Sequence, residues 1–291
     1  MKQKLKKSSM NLFYVPALAV MLVFIGLPLL NGVKLSFFKW NGYSQNMTWI
    51  GLSNYGDMFS DKNLRVSFLN TLLYGFGSMF LENILGLLAA LFVNSRFKGH
   101  TAVRTFVYMP IMISSLVMGY IMYYFVQFDH GILNEILGWF GREPVDWLAD
   151  ASRGRILITV INSWQYCGTS MVLYLAGLQG IPDLYYEAAQ IDGASVMQRF
   201  RRITMPLLVP AISSAVVINL IGSLKLNDII ISLTNGGPAQ KTHSLSTYIS
   251  YAYFRIERAG YASAIGVFMF AFILAVSMVA NRYFRKREVE Y

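Results

Sequence analysis

The chain has 291 residues, of which 55% are hydrophobic and only 14% are charged, and its mean hydropathy is +0.44. Because an average soluble domain carries about 25% charged residues, this composition excludes a soluble globular protein and indicates several membrane spans. The net charge of +10 would favour nucleic-acid binding in a soluble protein. Membrane topology explains it more simply, since cytoplasmic loops collect Lys and Arg, and we expect no nucleic-acid partner.

Residues that bind metals, form disulfides or hold nucleotides are scarce in this sequence. The single cysteine, Cys167, excludes an intrachain disulfide, and the three histidines are too far apart to show metal-ligand spacing. The phosphate-loop pattern G-x-x-x-x-G-K-[ST] does not occur. We therefore predict no metal site and no cofactor bound by this chain.

Six apolar runs are each long enough to cross a bilayer, which takes about 20 helical residues. Each is predicted to be a helix, because backbone groups in lipid must be satisfied within the segment. The stretch "KQKLKK" before the first run could begin a signal peptide, but the run is too long and no A-x-A-like cleavage site follows. The predicted fold is an all-α membrane domain over 1–291 that begins with a retained helix, with spans near 11–33, 68–93, 105–128, 156–178, 205–227 and 261–281.

The distribution of Lys and Arg predicts how these helices are oriented. With the N-terminus inside, the inner segments hold 14 of the 25 Lys and Arg residues, and the much longer outer loops hold 10. Short cytoplasmic segments are enriched in these residues. The bias predicts that both chain ends and the loop 179–206 face the cytoplasm.

The segment 187–210, "EAAQIDGASVMQRFRRITMPLLVP", is polar and basic although it lies between two apolar runs. Just before it, Pro-Asp at 182–183 is typical of a helix start, and apolar residues then recur at helical spacing. Asp-Gly at 192–193 is a turn signal. A second helical stretch runs to Pro206, which suits a new helix start or a kink, so the segment is predicted to be a helix–turn–helix.

The first helix of this segment has an apolar strip formed by Leu184, Ala188 and Ile191. Ala188 and Ala189 have small side chains, so the helix is narrow. A narrow helix with an apolar strip and flanking charges could fit into a cleft on another protein. Alternatively, it could lie on lipid headgroups as an amphipathic linker, with its arginines touching anionic lipid. The residues alone favour neither interpretation.

The residue types and spacing of this segment resemble the EAA loop of permease subunits from binding-protein-dependent ABC importers. Glu-Ala-Ala at 187–189 is followed by Asp-Gly-Ala at 192–194 and by Ile-Thr-Met-Pro at 203–206, where Met205 replaces the usual Leu. The resemblance implies that the loop docks into a groove on a cytoplasmic ATPase subunit and transmits its closure. We assign this coupling role to Glu187, Ala188, Ala189, Asp192, Gly193, Arg201 and Pro206.

The resemblance extends along most of the chain, to sugar-importer permeases of the maltose-transporter type. It implies a multi-pass protein of the bacterial cytoplasmic membrane with several partners: a second homologous permease, two ATPase copies that hold ATP and Mg, and an extracytoplasmic sugar-binding protein. The stretches that carry it are "WIGLSNYGDMF" (49–59), "NTLLY" (70–74), "LAGLQGIPDLYYEAA" (175–189), "LTNGGPAQKTHSLSTYISYAYF" (233–254) and "GYASAIGVFMF" (260–270).

Polar residues at membrane depth are costly and usually face a cavity or a partner. In "INSWQYCGTS" (161–170), Asn162, Thr169 and the pair Gln165-Tyr166 lie at three- and four-residue steps, hence on one helix face. Amides, hydroxyls and the nearby Trp164 suit the hydroxyls and C–H surfaces of a sugar. The alternative is that these residues only join helices or subunits.

A second polar stretch, "NLIGSLKLNDII" (219–230), contains Lys225 and Asp228 three residues apart, where they could form an ion pair. A buried lysine would suit an anionic or highly hydroxylated ligand, unless Asp228 neutralises it. The resemblance places Leu224 and Lys225 at the sugar site. The predicted substrate-binding set is therefore Asn162, Gln165, Tyr166, Thr169, Leu224 and Lys225.

Glu82, in "FLENILGLLAAL", is the other charge within a predicted span. A proton relay is the functional interpretation, and a structural pairing with Asn83 or with a partner subunit is the alternative. Gly86 and Ala90, four residues apart on the same helix, predict a packing face for a neighbouring helix.

Two other functions compete with that of a transport subunit. A proton-coupled secondary transporter would use Glu82, Lys225 and Asp228, but no internal repeat is visible and the coupling loop would be unexplained. A membrane enzyme would depend on the acids of an outer loop, where no nucleophile–base grouping occurs: Asp129, Glu143, Asp146 and Asp150. We predict a transport subunit without catalysis, with ATP hydrolysis on a separate subunit.

Overall fold

The computed structural model describes residues 14–95 and 97–286, and these are predominantly helical. Part of the orientation argument depends on the basic stretch 1–10, on Arg96 and on residues 287–291, which lie outside the described residues. The helices are α1 (Tyr14–Leu35), α2 (Ser53–Ser60), α3 (Lys62–Asn94), α4 (His100–Tyr108), α5 (Ser115–Val126), α6 (Ile132–Trp139), α7 (Ala151–Gln179), α8 (Asp183–Ile191), α9 (Val196–Leu207), α10 (Val209–Leu224), α11 (Asp228–Leu233), α12 (Leu245–Phe254) and α13 (Ala259–Arg285).

The chain divides into two compact units. The first comprises the residues up to Asp61 together with Ile249–Phe270, and the second comprises Lys62–Tyr248 and the residues from Ala271 onward. The division reflects where contacts are dense and not what each part does. The prediction of one transmembrane domain over the whole chain therefore stays a prediction.

In the first unit a short antiparallel hairpin departs from the predicted all-α fold. Its strands, Phe38–Lys39 and Thr48–Trp49, are only two residues long, which is too short to leave a periodic pattern in the sequence. The buried amide of Asn54 on α2 donates hydrogen bonds to the carbonyl oxygens of Ser36 and Phe38, at 2.8 and 3.0 Å. These bonds hold α2 against the first strand.

The first predicted span, 11–33, corresponds to α1, whose described part begins at Tyr14 and ends at Leu35. None of its side chains is buried. A helix that is apolar on all sides needs apolar surroundings. The exposure of α1 is therefore in keeping with a helix that faces lipid or another subunit.

Helices α3 and α7 form the central packed pair of the second unit. Gly86 on α3 permits their close approach, because a Cβ at this position would lie 2.3 Å from the Cβ of Ser170 and 2.9 Å from the carbonyl oxygen of Cys167. Ala90, one turn further along, is fully buried. The predicted packing face of Gly86 and Ala90 is thus confirmed, and its partner is α7.

The third predicted span, 105–128, is broken, so the prediction of a single helix is wrong. The segments His100–Met112 and Ser115–Val126 meet at 102°. The backbone at Ile113 is extended, which leaves its carbonyl without a helical partner, and the Gln165 amide of α7 donates to that oxygen at 2.8 Å. A broken helix is tolerated at membrane depth when a neighbour satisfies the freed backbone group in this way.

The fifth predicted span, 205–227, is also interrupted. A bend of 64° at Leu208 separates α9 from α10, which has a proline, Pro210, in its first turn. Proline lacks the N–H that would continue the preceding helix. The helix that was predicted to begin near Pro206 therefore begins at Val209, and it ends at Leu224 instead of 227.

The other predicted spans, 68–93, 156–178 and 261–281, fall within α3, α7 and α13. Among the described residues, α1, α3 and α13 are long and apolar enough to cross a membrane, and the number rises to five if each bent pair is one span. Helix α7 has 29 residues but is more polar, because it buries Thr159, Asn162, Ser163, Gln165 and Ser170 inside the unit. The exact count of six spans stays a prediction.

Candidate functional site

A cleft of about 550 Å³ lies in the second unit, between α3, α7, α10 and the chain around the helix breaks. Clefts of roughly 300–1,000 Å³ hold small ligands, which a few polar groups orient. Ten residues with polar side chains line this cleft: Glu82, Ser115, Asn162, Tyr166, Thr169, Asn219, Ser223, Lys225, Asn227 and Asp228.

Four of the six predicted substrate residues meet at this cleft: Asn162, Tyr166, Thr169 and Lys225. The first three come from one face of α7, as their helical spacing indicated, and Lys225 follows the end of α10. The hydroxyl oxygens of Tyr166 and Ser115 lie 2.7 Å apart. This hydrogen bond fixes the start of α5 against α7, so Tyr166 stabilises the helix break as well as lining the cleft.

Gln165 and Leu224, the other two predicted residues, do not line the cleft. Gln165 is fully buried, and its amide nitrogen donates a hydrogen bond to the carbonyl oxygen of Ile113 at the bend. Leu224 is also fully buried and packs against Gly75 of α3, where a Cβ would come within 2.4 Å of the leucine side chain. Both side chains therefore pack inside the protein, next to residues that line the cleft.

Glu82 lies at the centre of a hydrogen-bond network that joins three helices. Its Oε1 accepts from Nδ2 of Asn162 on α7 at 2.9 Å and from Oγ of Ser223 on α10 at 3.2 Å. Asn83, one of the two structural partners considered for Glu82, instead accepts a hydrogen bond from the Tyr174 hydroxyl. Glu82 therefore has structural partners, as the structural alternative held, but Asn83 is not one of them, because successive helix residues point about 100° apart.

Two of the residues that sequence reasoning missed, Asn219 and Ser223, are four residues apart on α10 and both line the cleft. The amide of Asn219 donates to Ser170 Oγ at 2.5 Å. The signal that identified the α7 residues, polar side chains at helical spacing within an apolar run, was present here as well.

Lys225 and Asp228 do not form the ion pair that their spacing would allow on one helix. The helix ends between them, because Asn227 has φ −135° and ψ −61°, and they are therefore not neighbours on one helix face. Both side chains are exposed at the cleft, and Asp228 accepts a hydrogen bond from the Asn227 amide at 3.0 Å. The lysine is thus not buried, contrary to expectation.

The segment that is predicted to couple to an ATPase consists of α8 and α9, joined by a turn at Asp192–Ser195. Gly193 has φ +75° with open space around it, so a side chain there would strain the backbone without clashing. Ser195 begins α9 with a capping box, in which its hydroxyl accepts from the N–H of Gln198 and the Gln198 side chain accepts from the N–H of Ser195. The turn therefore depends on Gly193 for its backbone conformation and on Ser195 for the start of the next helix.

The apolar strip of α8 is exposed. Leu184 and Ile191 are 71% and 87% accessible, and Ala188 is exposed between them. Glu187 forms no ion pair with Arg201 or another arginine among the described residues.

Two acids of the segment 129–155, Asp146 and Asp150, have structural roles. Asp146 accepts hydrogen bonds from the backbone N–H groups of Leu148 and Ala149. Asp150 caps α7, and the hydrogen bond that it accepts from the Arg153 N–H lowers the pKa of its carboxyl below the usual range. These contacts give no support to catalysis by these acids.

Apolar helices around a buried polar cleft place the chain in the class of multi-pass membrane permeases. Residues 82–289 match the family described as "binding-protein-dependent transport system inner membrane component", and the chain belongs to this family. Its members are permease subunits of ABC transporters, which are not catalytic, and ATP hydrolysis generally takes place on a separate subunit.

The chain is 35% identical over 279 residues to the trehalose/maltose transport system permease protein MalF of Thermococcus litoralis, covering 95% of this chain and 94% of the relative. It is 30% identical over 277 residues to the multiple sugar-binding transport system permease protein MsmF of Streptococcus mutans, with 95% of each chain covered. A solved bacterial alginate ABC transporter, in complex with an alginate pentasaccharide-bound periplasmic protein, matches with a TM-score of 0.84, 28% identity and coverage of 98% and 96%. Relatives of this kind favour neither a secondary transporter nor an enzyme.

Proposed function

We propose that this chain is the membrane-spanning subunit of an ATP-driven importer that carries a sugar or oligosaccharide across the bacterial cytoplasmic membrane. The observation that carries the proposal is the cleft, where amide, hydroxyl and aromatic groups from α7 and α10 converge inside apolar helices. Buried polar groups at membrane depth are costly, so their convergence calls for a polar ligand. The sugar-transport relatives, which match almost the whole chain, agree with this ligand class.

The proposed ligand contacts are the amide of Asn162, the hydroxyls of Tyr166 and Thr169 and the ammonium of Lys225. The ammonium and the two hydroxyls can donate a hydrogen bond, and the two hydroxyls can also accept one. The amide nitrogen of Asn162 already donates to Glu82 and Ser223, so its amide oxygen is the atom left to accept from a ligand. A sugar hydroxyl needs both kinds of partner. Gln165 and Leu224 are proposed to act indirectly, by fixing the helix break and the packing of α10.

The proposed assembly has a second permease subunit, two ATPase subunits and an extracytoplasmic sugar-binding protein. The solved alginate transporter in complex with a periplasmic protein supports a binding-protein partner. ATP and Mg belong to the ATPase subunits, and this chain needs no cofactor of its own. Its coupling residues, which are Glu187, Ala188, Ala189, Asp192, Gly193, Arg201 and Pro206, would seat α8 in the ATPase.

We propose six spans with both chain ends in the cytoplasm. Cysteine labelling tests this orientation, since the native Cys167 is buried and should react little. Cysteines at Ser44 and Ala239 should react from outside intact cells. A cysteine at Gln190, which is exposed on α8 and leaves the Ser195 cap intact, should react only after permeabilisation. Reaction at Gln190 from outside would exclude the coupling role.

The proposed function is tested by purifying the tagged chain in mild detergent and identifying its partners and any bound glycan by mass spectrometry. We expect an ATPase, a second permease of the same family and a carbohydrate. Vesicles that contain the complex should accumulate the identified carbohydrate only with ATP and the binding protein. A complex without an ATPase, or uptake that follows a proton gradient instead of ATP, would contradict the proposal.

A further inference from the structure

The C-terminal end of the last helix, α13, has a small basic cavity that lies outside the cleft. Its volume is about 340 Å³, and it is lined by Met278, Asn281, Arg282 and Lys286. These residues are three or four positions apart, and side chains at such steps share one helix face. All four are exposed, so this face is open to whatever surrounds the helix.

The opposite face of α13 packs inside the second unit. The ring of Phe272 packs edge-on against that of Phe68 on α3, with the ring centroids 5.3 Å apart, and Ile273 is buried. Leu274 and Met278 are exposed. Because this packing fixes the rotation of the helix, the face with Leu274, Met278 and the basic residues points away from the packed core.

Along this exposed face the side chains change from apolar to basic. Leu274 precedes Arg282 by eight residues, which is about 12 Å along the axis at about 1.5 Å per residue. One leaflet's share of the hydrocarbon core is about 15 Å thick. When Arg282 lies at the depth of the headgroups, Leu274 and Met278 therefore lie at the depth of the acyl chains.

The two positive charges of the cavity have no anionic partner in the part of the chain that the structure describes. Neither Arg282 nor Lys286 forms an ion pair there, and α13 (Ala259–Arg285) contains no acid. A guanidinium and an ammonium both bind phosphate oxygens, and the amide of Asn281 can donate to the same group. Charge complementarity therefore indicates an anion with several oxygens.

From these observations we propose that this end of α13 binds an anionic phospholipid. Asn281, Arg282 and Lys286 hold the phosphate, and an acyl chain lies along Met278 and Leu274. An acidic protein surface would match the charges but not the apolar residues before them, whereas a phospholipid matches both. The inference goes beyond the proposed function and rests only on its orientation, which places this end of α13 in the cytoplasmic leaflet. Anionic lipids give that leaflet a negative surface, which attracts basic residues.

The test uses the chain purified with all the partners that it carries, in nanodiscs of phosphatidylcholine with a small amount of phosphatidylglycerol that has a photoreactive acyl chain. Mass spectrometry of peptides locates the crosslinks, so this site is measured separately from other lipids around the protein. We expect crosslinks between Leu274 and Met278. Unlabelled phosphatidylglycerol should displace the probe, whereas soluble glycerol phosphate, which lacks the acyl chains, should not.

With the probe below saturation, Arg282→Gln and Lys286→Gln should each lower crosslinking on α13 about fivefold, and the double variant about thirtyfold. Each basic residue near an anionic surface contributes about a factor of five. Arg282→Lys keeps the charge and should retain most of the crosslinking. All these variants should unfold at the temperature of the unaltered protein, because the exposed side chains have no ion pair to lose among the described residues.

Lys62 and Arg65 provide the matched control, as an exposed basic pair in the first turn of α3 without an ion pair among the described residues. Replacing both with Gln removes the same charge as the double variant of α13. Because these residues lie far from the cavity in sequence and on another helix, crosslinking on α13 should not change.

The proposal is overturned if no crosslink forms on α13, which is the result if a second permease or an ATPase covers this face. It is also overturned if the double variant of α13 binds the probe normally, if the control variant loses as much crosslinking, or if glycerol phosphate displaces the probe. Failure of the proposed function would look different. The chain would purify without an ATPase and support no ATP-dependent uptake of any carbohydrate, whatever lipid binds to α13.

Discussion

The cleft and helix α8 have opposite distributions of polar and apolar side chains. At the cleft, the polar residues Glu82 and Asn162 are 1% and 2% exposed, whereas the apolar residue Ile191 of α8 is 87% exposed. Each arrangement is unfavourable for an isolated chain in water. The difference indicates two kinds of partner, a hydrogen-bonding ligand in the cleft and an apolar protein or lipid surface at α8.

The two regions also differ in what holds them. The cleft is fixed by hydrogen bonds between helices that are far apart in sequence, such as Asn162 to Glu82 and Asn219 to Ser170. The side-chain hydrogen bond that ties α8 to the following helix is a local one, at 3.0 Å between the hydroxyls of Tyr186 and Thr204. Changes on α8 should therefore affect attachment to a partner, while changes in the cleft should affect uptake with attachment intact.

The largest effect is expected from Ala189→Trp. This half-buried residue of α8 lies next to Ala188, where the helix has only small side chains. A large side chain there should prevent α8 from fitting into the groove of the ATPase. Overpacking an interface costs about 3 kcal/mol, so ATPase co-purification and uptake should fall on the order of a hundredfold. Gln190→Trp adds the same bulk at the next, exposed position and should retain the ATPase. Equal retention by both variants would show that α8 is not seated in a groove.

A smaller loss is expected from Gly193→Val, because a β-branched residue at φ +75° strains the turn. The strain costs about 1–2 kcal/mol and should weaken ATPase attachment about tenfold. Gly99→Val is the control, since Gly99 also has a positive φ and space for a side chain. In a pull-down, Gly99→Val should retain the ATPase and Gly193→Val should retain less of it. A normal rate of uptake by Gly193→Val would mean that α8 and α9 form only a linker.

Ser195→Ala should remove the capping box of α9. Loss of an N-cap costs about 1 kcal/mol, which predicts about fivefold weaker ATPase attachment if the turn must be ordered on binding. Ser195→Asp should restore attachment, because Asp caps a helix as well as Ser does. If Ala and Asp at this position behave alike, the order of the turn does not contribute to attachment.

The smallest effect is expected from Lys225→Ala in the cleft. The exposed ammonium has no ion pair to lose, so the unfolding temperature and ATPase attachment should not change. Uptake at limiting sugar should fall about threefold, as expected for one exposed hydrogen bond to a ligand. Lys241→Ala, at an exposed lysine outside the cleft, should have no effect. If Lys225→Ala lost its ATPase, the cleft and α8 would not differ in their effects on ATPase attachment.

Sequence reasoning located most of the helices but not their breaks. Hydropathy identified α1, α3 and α13, because a lipid-facing helix must be apolar over about 20 residues whatever it packs against. The bends at Ile113 and Leu208 left no such pattern. At Ile113, the break depends on an amide from Gln165, 52 residues further along the chain, and single-segment patterns do not report such a partner.

The sequence by itself determined that this chain is a membrane protein and that Gly86 and Ala90 form a packing face. It also determined that Asn162, Tyr166 and Thr169 share a helix face. The segment at 187–206 has the pattern of a coupling loop in the sequence alone. These properties follow from local composition and helical periodicity. Tertiary structure alone decided that Gln165 and Leu224 lie behind the cleft, and that Glu82 pairs with Asn162 and Ser223. A side chain's partners depend on which helices meet and how they are rotated, and these are set by packing between residues far apart in the chain.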